Sequence, residues 1–195
     1  PEMDLRLRGQ RALVTGSSRG IGRAIALSLA DLKVDVAINF FRHRAPAEEV
    51  VKEIEARGAR ALLVRGNVAD EAHVSRMFDE IEAAWGGLEI LVSNAASGVL
   101  KPVSELTFHH FHWTMDINAA ALLPLVQHFL HLPTQGPRTV VAVSSLGAVR
   151  AIPNYTAVGA SKAALESMVR HLAAELAPQG VRVNAVSAGT VDTDA

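Results

Sequence analysis

The sequence has 195 residues, of which 49% are hydrophobic and 20% charged, with a formal net charge of −1. This composition is typical of a folded protein with a sizeable core, so we expect residues 1–195 to form a single domain. The absence of cysteine excludes disulfides and cysteine nucleophiles. Scattered charges and short apolar runs indicate neither a nucleic-acid partner nor a membrane span. With no apolar signal segment at the N-terminus, we expect a cytoplasmic protein.

Short apolar runs alternate with amphipathic stretches along the whole chain. Predicted strands cover 11–15, 34–39, 61–64, 88–93, 139–143 and 181–186. Predicted helices cover 23–30, 47–57, 74–85 and 162–177, and 105–130 is a mixed helical segment with a kink or break at Pro124. Most of these strands are continuously apolar, which indicates a parallel sheet covered by helices on both faces. The expected fold class is α/β, a doubly wound Rossmann-type sheet in three α/β/α layers.

Three glycines lie between the first predicted strand and the first helix, at Gly16, Gly20 and Gly22. Gly16 permits a sharp turn, Gly20 a close backbone approach to a pyrophosphate, and Gly22 close helix packing. The helix N-terminus then offers N–H groups to phosphates. The spacing Gly-x3-Gly-x-Gly differs from the commoner Gly-x-Gly-x2-Gly, but its strand-turn-helix context predicts dinucleotide binding.

Other informative residues also follow predicted strand ends. Asn94, Ser144–Ser145 and Gly189 each come directly after an apolar run. In parallel α/β sheets, ligands bind beyond the carboxyl ends of the strands. The sequence therefore predicts one functional rim that includes Gly16 and these positions.

The stretch 154–162 carries the only tyrosine of the sequence, Tyr155, seven residues before Lys162. Seven residues correspond to nearly two helical turns, so the two side chains can face one bound molecule if Tyr155 starts the helix. A phenol near an ammonium suits donation of a proton or hydrogen bond to an oxygen that gains negative charge. The alternative is a half-buried tyrosine and a surface lysine at chance spacing.

Several of these sequence motifs together resemble those of the short-chain dehydrogenase/reductase family. Thr15–Gly22 resembles its cofactor signature, and Ser93–Ala96 its Asn-Asn-Ala-Gly with two departures. Asn118 matches its active-site asparagine, Ser144–Ser145 its serine segment, and 184–189 its Asn-x-Val-x-Pro-Gly. The resemblance implies the following cofactor-binding residues: Gly16, Ser18, Arg19, Gly20, Ile21, Gly22, Phe40, Arg42, Asn67, Val68, Asn94, Ala95, Lys162, Gly189 and Thr193.

The end of the second predicted strand bears on which dinucleotide is used. Family members that use NAD usually carry an acid there, whereas this stretch, 39–44, reads Asn-Phe-Phe-Arg-His-Arg. Arg42 and Arg44, together with Arg19 in the glycine turn, would suit a 2′-phosphate. We therefore expect NADPH (NADP) as the cofactor. The alternative for Arg42 and Arg44 is a solvated loop.

The tyrosine position points to a subfamily. Most of the family has Tyr-x3-Lys, but the residue four before Lys162 is Val158, which cannot donate a proton. Tyr155 gives Tyr-x6-Lys, the spacing of the family's enoyl-acyl-carrier-protein reductases. The neighbouring sequence segments resemble those of the NADPH-preferring enoyl reductase III. The resemblance implies reduction of the trans-2 double bond of an enoyl thioester on acyl carrier protein or CoA, in fatty-acid synthesis. The alternatives are a 3-oxoacyl or carbonyl reductase of the same family, and a catalytically weak NADP-binding module.

The resemblance also implies individual roles. Tyr155 would stabilise the enolate oxygen, and Lys162 would hold the nicotinamide ribose. Ser145 would contact substrate or simply pack at a strand end. Asn118 would fix the helix or a water near Lys162, or cap a helix kink. Thr193 would meet the nicotinamide amide.

Two further expectations concern metals and assembly. His109, His110 and His112 form a cluster without a carboxylate partner at metal-site spacing, so we expect no metal site. The resemblance implies a homo-oligomer, a tetramer or dimer. It also implies a further loop, helices and a last strand beyond Ala195, so this chain would lack the usual last strand and helix.

Overall fold

The computed structural model describes residues 6–189 and 191. In this part of the chain the strands are β1 Arg11–Val14, β2 Asp35–Phe40, β3 Ala61–Arg65, β4 Ile90–Ser93, β5 Arg138–Ser145 and β6 Val181–Ala188. The α-helices are α1 Gly20–Asp31, α2 Arg44–Ala56, α3 Glu71–Trp85, α4 Phe108–Met115, α5 Leu122–His131 and α6 Thr156–Leu176. None of the described helices has the length and apolar character needed to cross a membrane.

The strands form one parallel sheet in the order β3-β2-β1-β4-β5-β6. The chain runs outward from β1 to β3, then returns to place β4 on the other side of β1. This reversal puts the carboxyl ends of β1 and β4 side by side, which is where doubly wound sheets bind ligands. The prediction of a doubly wound, three-layer α/β fold is confirmed.

Two hydrophobic cores lie on opposite faces of the sheet. One packs α3, α5 and α6 against it and includes the fully buried Phe78 and Phe129. The other packs α1 and α2 and includes Ala26, Val50 and Ile54. Continuously apolar strands are required here because both faces of each central strand are covered.

Several predicted element boundaries are wrong in a consistent way. The helices predicted at 23–30, 47–57, 74–85 and 162–177 begin three to six residues earlier in the structure. Their first turns are polar or glycine-rich, so the apolar period does not mark them. The carboxyl ends of strands β5 and β6 likewise extend two residues further than predicted.

The predicted break at Pro124 is also wrong. Pro124 lies in the first turn of α5, where its missing N–H costs no intrahelical hydrogen bond. The irregularity is instead a π-helical turn at Asp116–Ala120, in which the Ala121 amide donates to the Asp116 carbonyl over 2.9 Å. Such turns are rare and frequently mark functional sites.

The opposite end of the sheet is fastened by a buried ion pair. Arg11 of β1 makes a bidentate contact with Glu89, just before β4, and both side chains are less than a tenth exposed. Glu89 also accepts from the amides of Arg11 and Gln135. Burial alone would raise the pKa of the Glu89 carboxyl, but these hydrogen bonds, chiefly from Arg11, hold it below its ordinary value.

Candidate active site

The turn between β1 and α1 has the geometry of an anion cradle. Gly16 and Gly20 have φ values of +60° and +55°, in the left-handed region that favours glycine. A Cβ on Gly22 would lie 2.3 Å from the Gly16 carbonyl oxygen, so the turn folds tightly onto α1. No side chain of the described residues caps the α1 N-terminus, which leaves its N–H groups and dipole for an anion.

A cavity of about 880 Å³ adjoins this turn. It is lined by the predicted cofactor residues Ser18, Arg19, Gly20 and Ile21, and, among others, by Val143, Val186, Ala188 and Val191. The lining combines backbone donors, the exposed Arg19 and Arg23, the carboxylate Glu49 and apolar side chains, and Arg23 is paired with Glu53. Together with the uncapped helix, this donor set fits a dinucleotide pyrophosphate.

Residues directly after β4 hold the turn in place. The Asn94 side-chain amide donates to the Thr15 and Gly16 carbonyls over 3.0 and 3.1 Å. The Thr15 hydroxyl accepts from the Asn94 and Ala95 amides, each over 2.9 Å. A Cβ on Gly16 would lie only 2.8 Å from the Ala95 Cα, so glycine is required at this contact as well.

Asn39 is a further part of this turn that sequence reasoning overlooked. Its buried side chain accepts from the Gly16 amide over 3.0 Å and donates to the Gly66 carbonyl over 3.1 Å. In the sequence, position 39 bears on the cofactor only through the absence of a carboxylate at the end of the second strand. The available signal was a polar residue inside an apolar strand, since a buried amide requires hydrogen-bond partners.

The predicted 2′-phosphate contacts lie in the glycine turn after β1 and just beyond β2. Arg19 and Arg42 are exposed. Arg44 is the first residue of α2 and its guanidinium Nε lies 2.6 Å from Glu48, so a neighbouring carboxylate already pairs it. Phe40 is buried in the core beside α2, which leaves only its main chain for a cofactor, and its carbonyl already accepts from the Gly66 amide.

Asn67 and Val68 follow β3. The Asn67 side-chain oxygen accepts from the Ala69 amide over 3.1 Å, and the Asn67 amide donates to His73 Nδ1 over 3.2 Å. Val68 is buried in the core with α3. These contacts fix the loop after β3 at the same edge of the sheet as Gly16.

Tyr155 occupies the residue directly before α6, at the carboxyl edge of β5. Its hydroxyl oxygen lies 3.1 Å from Ser145 Oγ, at the last residue of β5. A cavity of about 330 Å³ adjoins the tyrosine and is lined by the loop 147–152 and the first turns of α6. The two predicted catalytic hydroxyls are therefore in hydrogen-bond contact beside an open space.

Lys162 lies two turns along α6 and is 7% exposed. Its ammonium donates to the Val143 carbonyl of β5 over 2.8 Å. Burial lowers the pKa of Lys162 to about 8. The lysine predicted to hold a ribose is therefore a desolvated cation in the interior beneath the rim.

Asn118 lies in the π-helical turn and connects two elements rather than contacting Lys162 directly. Its side-chain oxygen accepts from the Ser97 amide over 2.8 Å, and its amide donates to Ser161 Oγ over 3.0 Å. Asn118 is buried, and Ser161 precedes Lys162 on α6. The asparagine thus joins the loop after β4 to the helix that carries the lysine.

Val158, at the position of the family's usual tyrosine, lies on α6 and is buried beneath the loop after β4. A Cβ on Gly98 would lie 2.3 Å from Val158 Cγ2, so the loop after β4 closes directly over the valine. Of the two positions, only Tyr155 presents a hydroxyl to Ser145.

Two further predictions concern the edge of the site and metals. Gly189 is exposed just after β6, whereas Thr193 lies outside the described residues. Within residues 6–189 and 191, no group of three or more histidine, aspartate or glutamate side chains could hold a metal ion. His110 instead caps α4, where its ring accepts from the Thr107 amide.

Comparison with known proteins decides the family. Residues 16–195 match a family model described as "Enoyl-(Acyl carrier protein) reductase". The chain belongs to the short-chain dehydrogenase/reductase family. A short chain dehydrogenase from Burkholderia cenocepacia J2315, solved in complex with NADP, superposes on this short-chain reductase with a TM-score of 0.92. The two sequences are 39% identical, and the match covers 97% of this chain and 77% of that one.

Two curated relatives are named for different reductions. The 1-cyclohexenylcarbonyl-CoA reductase of Streptomyces collinus is 40% identical over 187 residues, which are 96% of this chain and 66% of that protein. A hydroxynaphthalene reductase-like protein Arp2 of Metarhizium robertsii is 38% identical over 190 residues, covering 96% of this chain and 70% of that one. The chain thus spans about two thirds of the length of these relatives.

Proposed function

We propose that this chain carries the active site of an NADPH-dependent reductase that acts on the carbon–carbon double bond of an enoyl thioester. The observation that carries the proposal is the contact of Tyr155 with Ser145 at the start of α6, with Val158 buried in the place of the usual tyrosine. The Streptomyces relative, named as a reductase of a cyclohexenylcarbonyl-CoA, supports a thioester substrate. The family model's description supports acyl carrier protein as the alternative carrier.

The residues present fit NADPH. In this proposal the α1 N-terminus and the Gly16–Gly22 turn bind the pyrophosphate, and Arg19 and Arg42 pair with the 2′-phosphate. Asn94 and Asn39 keep the turn in shape through their hydrogen bonds to Thr15 and Gly16. When bound, NADPH supplies the hydride that reduces the β-carbon.

Tyr155 acts at the other end of the reacting system. Reduction of the β-carbon would place negative charge on the thioester oxygen, and the Tyr155 hydroxyl would donate a hydrogen bond to that oxygen. In conjugate reduction the hydride-accepting carbon lies two bonds beyond the carbonyl carbon. Tyr155 lines the open cavity whereas Val158 is buried, so a hydroxyl at 155 would suit a thioester oxygen that is displaced from the usual carbonyl position.

Lys162 contributes a fixed positive charge beneath the site. Its ammonium is oriented by the Val143 carbonyl and binds the nicotinamide ribose hydroxyls. Because burial lowers its pKa to about 8, we expect kcat/KM for NADPH to fall as the pH rises through that value. Asn118 fixes the turn of α6 that carries Lys162 through its hydrogen bond to Ser161.

A carbonyl reductase is the second candidate, because the Metarhizium relatives are named for hydroxynaphthalene reductase. The two functions are separated by NADPH oxidation with crotonyl-CoA, a 2-enoyl thioester, and with acetoacetyl-CoA, a 3-oxo thioester. We expect turnover of crotonyl-CoA. Faster turnover of acetoacetyl-CoA would favour the carbonyl reductase, and tight NADPH binding with neither activity would favour a binding module.

Tyr155→Phe tests the assignment of the donor. The variant keeps the ring and loses only the hydroxyl, so we expect kcat for crotonyl-CoA to fall about 100-fold while NADPH binding is retained. Ser75→Ala on α3 is the matched control, because Ser75 lines neither of the two cavities described above, and it keeps wild-type turnover. Unchanged enoyl reduction in Tyr155→Phe would overturn the proposal.

We further propose that the protein functions as a homo-oligomer. Large apolar side chains are exposed on and before α4, including Phe108 at 84% and Val103 at 74%. Several large exposed apolar side chains within one short segment are typical of protein–protein contacts. Sedimentation of the purified protein tests this, and a monomer at micromolar concentration would contradict it.

A further inference from the structure

Gly147 lies in the single helical turn, Leu146–Ala148, that directly follows β5, and it contacts Tyr155 in two ways. The first contact is with the ring. A Cβ on Gly147 would lie 2.3 Å from Tyr155 Cε1 and 2.5 Å from Cδ1. Side-chain carbons do not approach this closely, so the tyrosine ring lies in space that only a glycine leaves open.

A second glycine completes the ring's seat. A Cβ on Gly159, one turn into α6, would lie 2.9 Å from the Gly147 carbonyl oxygen and 3.5 Å from Tyr155 Cδ1. The Gly159 amide donates to the Tyr155 carbonyl over 2.7 Å. The loop after β5 and the start of α6 therefore approach each other glycine to glycine, and the Tyr155 ring packs against both glycines.

The other contact of Gly147 is through Ser145. The Gly147 amide donates to Ser145 Oγ over 3.2 Å, and the same oxygen lies 3.1 Å from the Tyr155 hydroxyl. A serine that already accepts a hydrogen bond is a stronger donor of its own, because hydrogen bonds in series polarise one another. The Gly147 amide therefore favours the direction in which Ser145 donates to Tyr155, which leaves the phenol hydrogen for another acceptor.

We propose that Gly147 is a positioning residue, which seats the Tyr155 ring and directs the Ser145–Tyr155 hydrogen bond so that the phenol donates to the substrate oxygen. The inference rests on the proposed role of Tyr155. It assigns Ser145 an action through the tyrosine hydroxyl rather than through contact with the substrate. The neighbouring serine is not part of this chain of hydrogen bonds, since Ser144 donates to Glu166 on the other face of β5.

The kinetic test is a double-mutant cycle between Gly147→Ala and Tyr155→Phe. Gly147→Ala displaces the ring, and we expect kcat for crotonyl-CoA to fall about 10- to 100-fold with the dissociation constant for NADPH unchanged. In the Tyr155→Phe background the hydroxyl is already absent, so adding Gly147→Ala changes kcat little further. Gly136→Ala is the matched control, because the described residues leave open space around Gly136.

Ser145→Ala gives a second cycle that does not depend on fitting a larger residue. If Ser145 acts through Tyr155, its effect on kcat disappears in the Tyr155→Phe background. Full additivity of the two losses would show that Ser145 contacts the substrate independently, and would overturn the inference. Unchanged turnover in Tyr155→Phe alone would instead overturn the proposed function.

A spectroscopic readout separates the seat from the chemistry. Because Tyr155 is the only tyrosine, protein labelled with ¹³C at the tyrosine ring carbons gives signals from this residue alone. We expect Gly147→Ala to shift these signals in the apo protein and Gly136→Ala to leave them in place. Unshifted ring signals in a folded Gly147→Ala protein would contradict the inference that Gly147 positions the Tyr155 ring, whatever the enzyme's activity.

Discussion

At the scale of single residues, the site places a lysine where its charge is costly. Lys162 is buried, and its carbonyl partner Val143 stabilises the ammonium without supplying an opposite charge. The lowered pKa, about 8, means that the folded protein binds this proton more weakly than the unfolded chain does. Folding stability should therefore increase between the folded pKa of about 8 and the ordinary lysine value of 10.5.

Lys162→Met tests this linkage. Between pH 7 and pH 10 we expect the wild type to gain about 2–3 kcal/mol of unfolding free energy relative to Lys162→Met, because only the wild type sheds a buried charge. Urea unfolding of both proteins at the two pH values measures the difference. Lys52→Met, at an exposed position on α2, serves as the control and should show little such gain. A constant difference between wild type and Lys162→Met would contradict the burial of a titrating ammonium.

Arg42 permits a residue-scale test of cofactor choice. Arg42→Gln should weaken NADPH binding about 10-fold and leave NADH binding unchanged, because only NADPH carries the 2′-phosphate. Arg44→Gln is the comparison, and its effect should be smaller since Arg44 pairs with Glu48. Fluorescence titration with both nucleotides measures the effects. Equal losses for NADPH and NADH would assign Arg42 to another part of the cofactor.

At the scale of elements, α6 is joined to the rest of the site by side chains from distant segments. The π-helical turn turns Asn118 toward both the Ser97 amide and Ser161. An ordinary helix would present this position differently, because a π turn inserts one residue into the helical period. The loop over Val158 and the helix carrying Lys162 are thus fixed by a single amide.

Asn118→Ala should therefore cost about 1–3 kcal/mol of unfolding free energy, since it leaves the Ser97 amide without its acceptor. Asn118→Asp is the matched variant, because it keeps that acceptor and loses only the donor to Ser161. We expect Asp to be the milder substitution in urea unfolding, and limited proteolysis to cleave the loop 94–101 faster in Asn118→Ala. Equal stability of both variants with the wild type would show that other contacts hold this loop.

The elements also show which features the sequence carries. Apolar runs bounded by glycine and polar residues suffice to predict the strands, because buried parallel strands need no alternation. Helix starts are missed because α6 begins with Thr-Ala-Val-Gly, where no apolar period has yet been established. The π turn has no sequence signature. The roles of Asn39 and Gly147 depend on their contacts with Gly16 and Tyr155, which only the folded structure brings together.

At the scale of the whole molecule, the sheet carries the site at one end and an ion pair at the other. Arg11 and Glu89 join β1 to the start of β4 and to the loop before β5. The Arg11 contacts hold the pKa of Glu89 below its ordinary value of 4.5. Their contribution to stability is therefore present above pH 4.5 and is lost as the pH falls through the lower, folded-state pKa.

Glu89→Gln should cost about 3–5 kcal/mol of unfolding free energy at pH 7, because it leaves a buried guanidinium without a counter-charge. Glu48→Gln removes an exposed pair on α2 and should cost less than about 0.5 kcal/mol. Urea unfolding at pH 7 separates the two, and the Glu89→Gln deficit should shrink in acid. Equal costs for both substitutions would show that burial adds nothing to the Arg11 pair.

The hydrogen bonds from Asn94 to the glycine turn also set an order of events during synthesis. A ribosome releases Thr15 and Gly16 early, but the side chain that binds their carbonyls emerges 79 residues later. Until then these two carbonyls lack their partner, and β1 lacks the neighbour that β4 provides. The glycine turn can thus be completed only after β4 has been made, so we expect a newly made N-terminal half to gain no protection from added NADP.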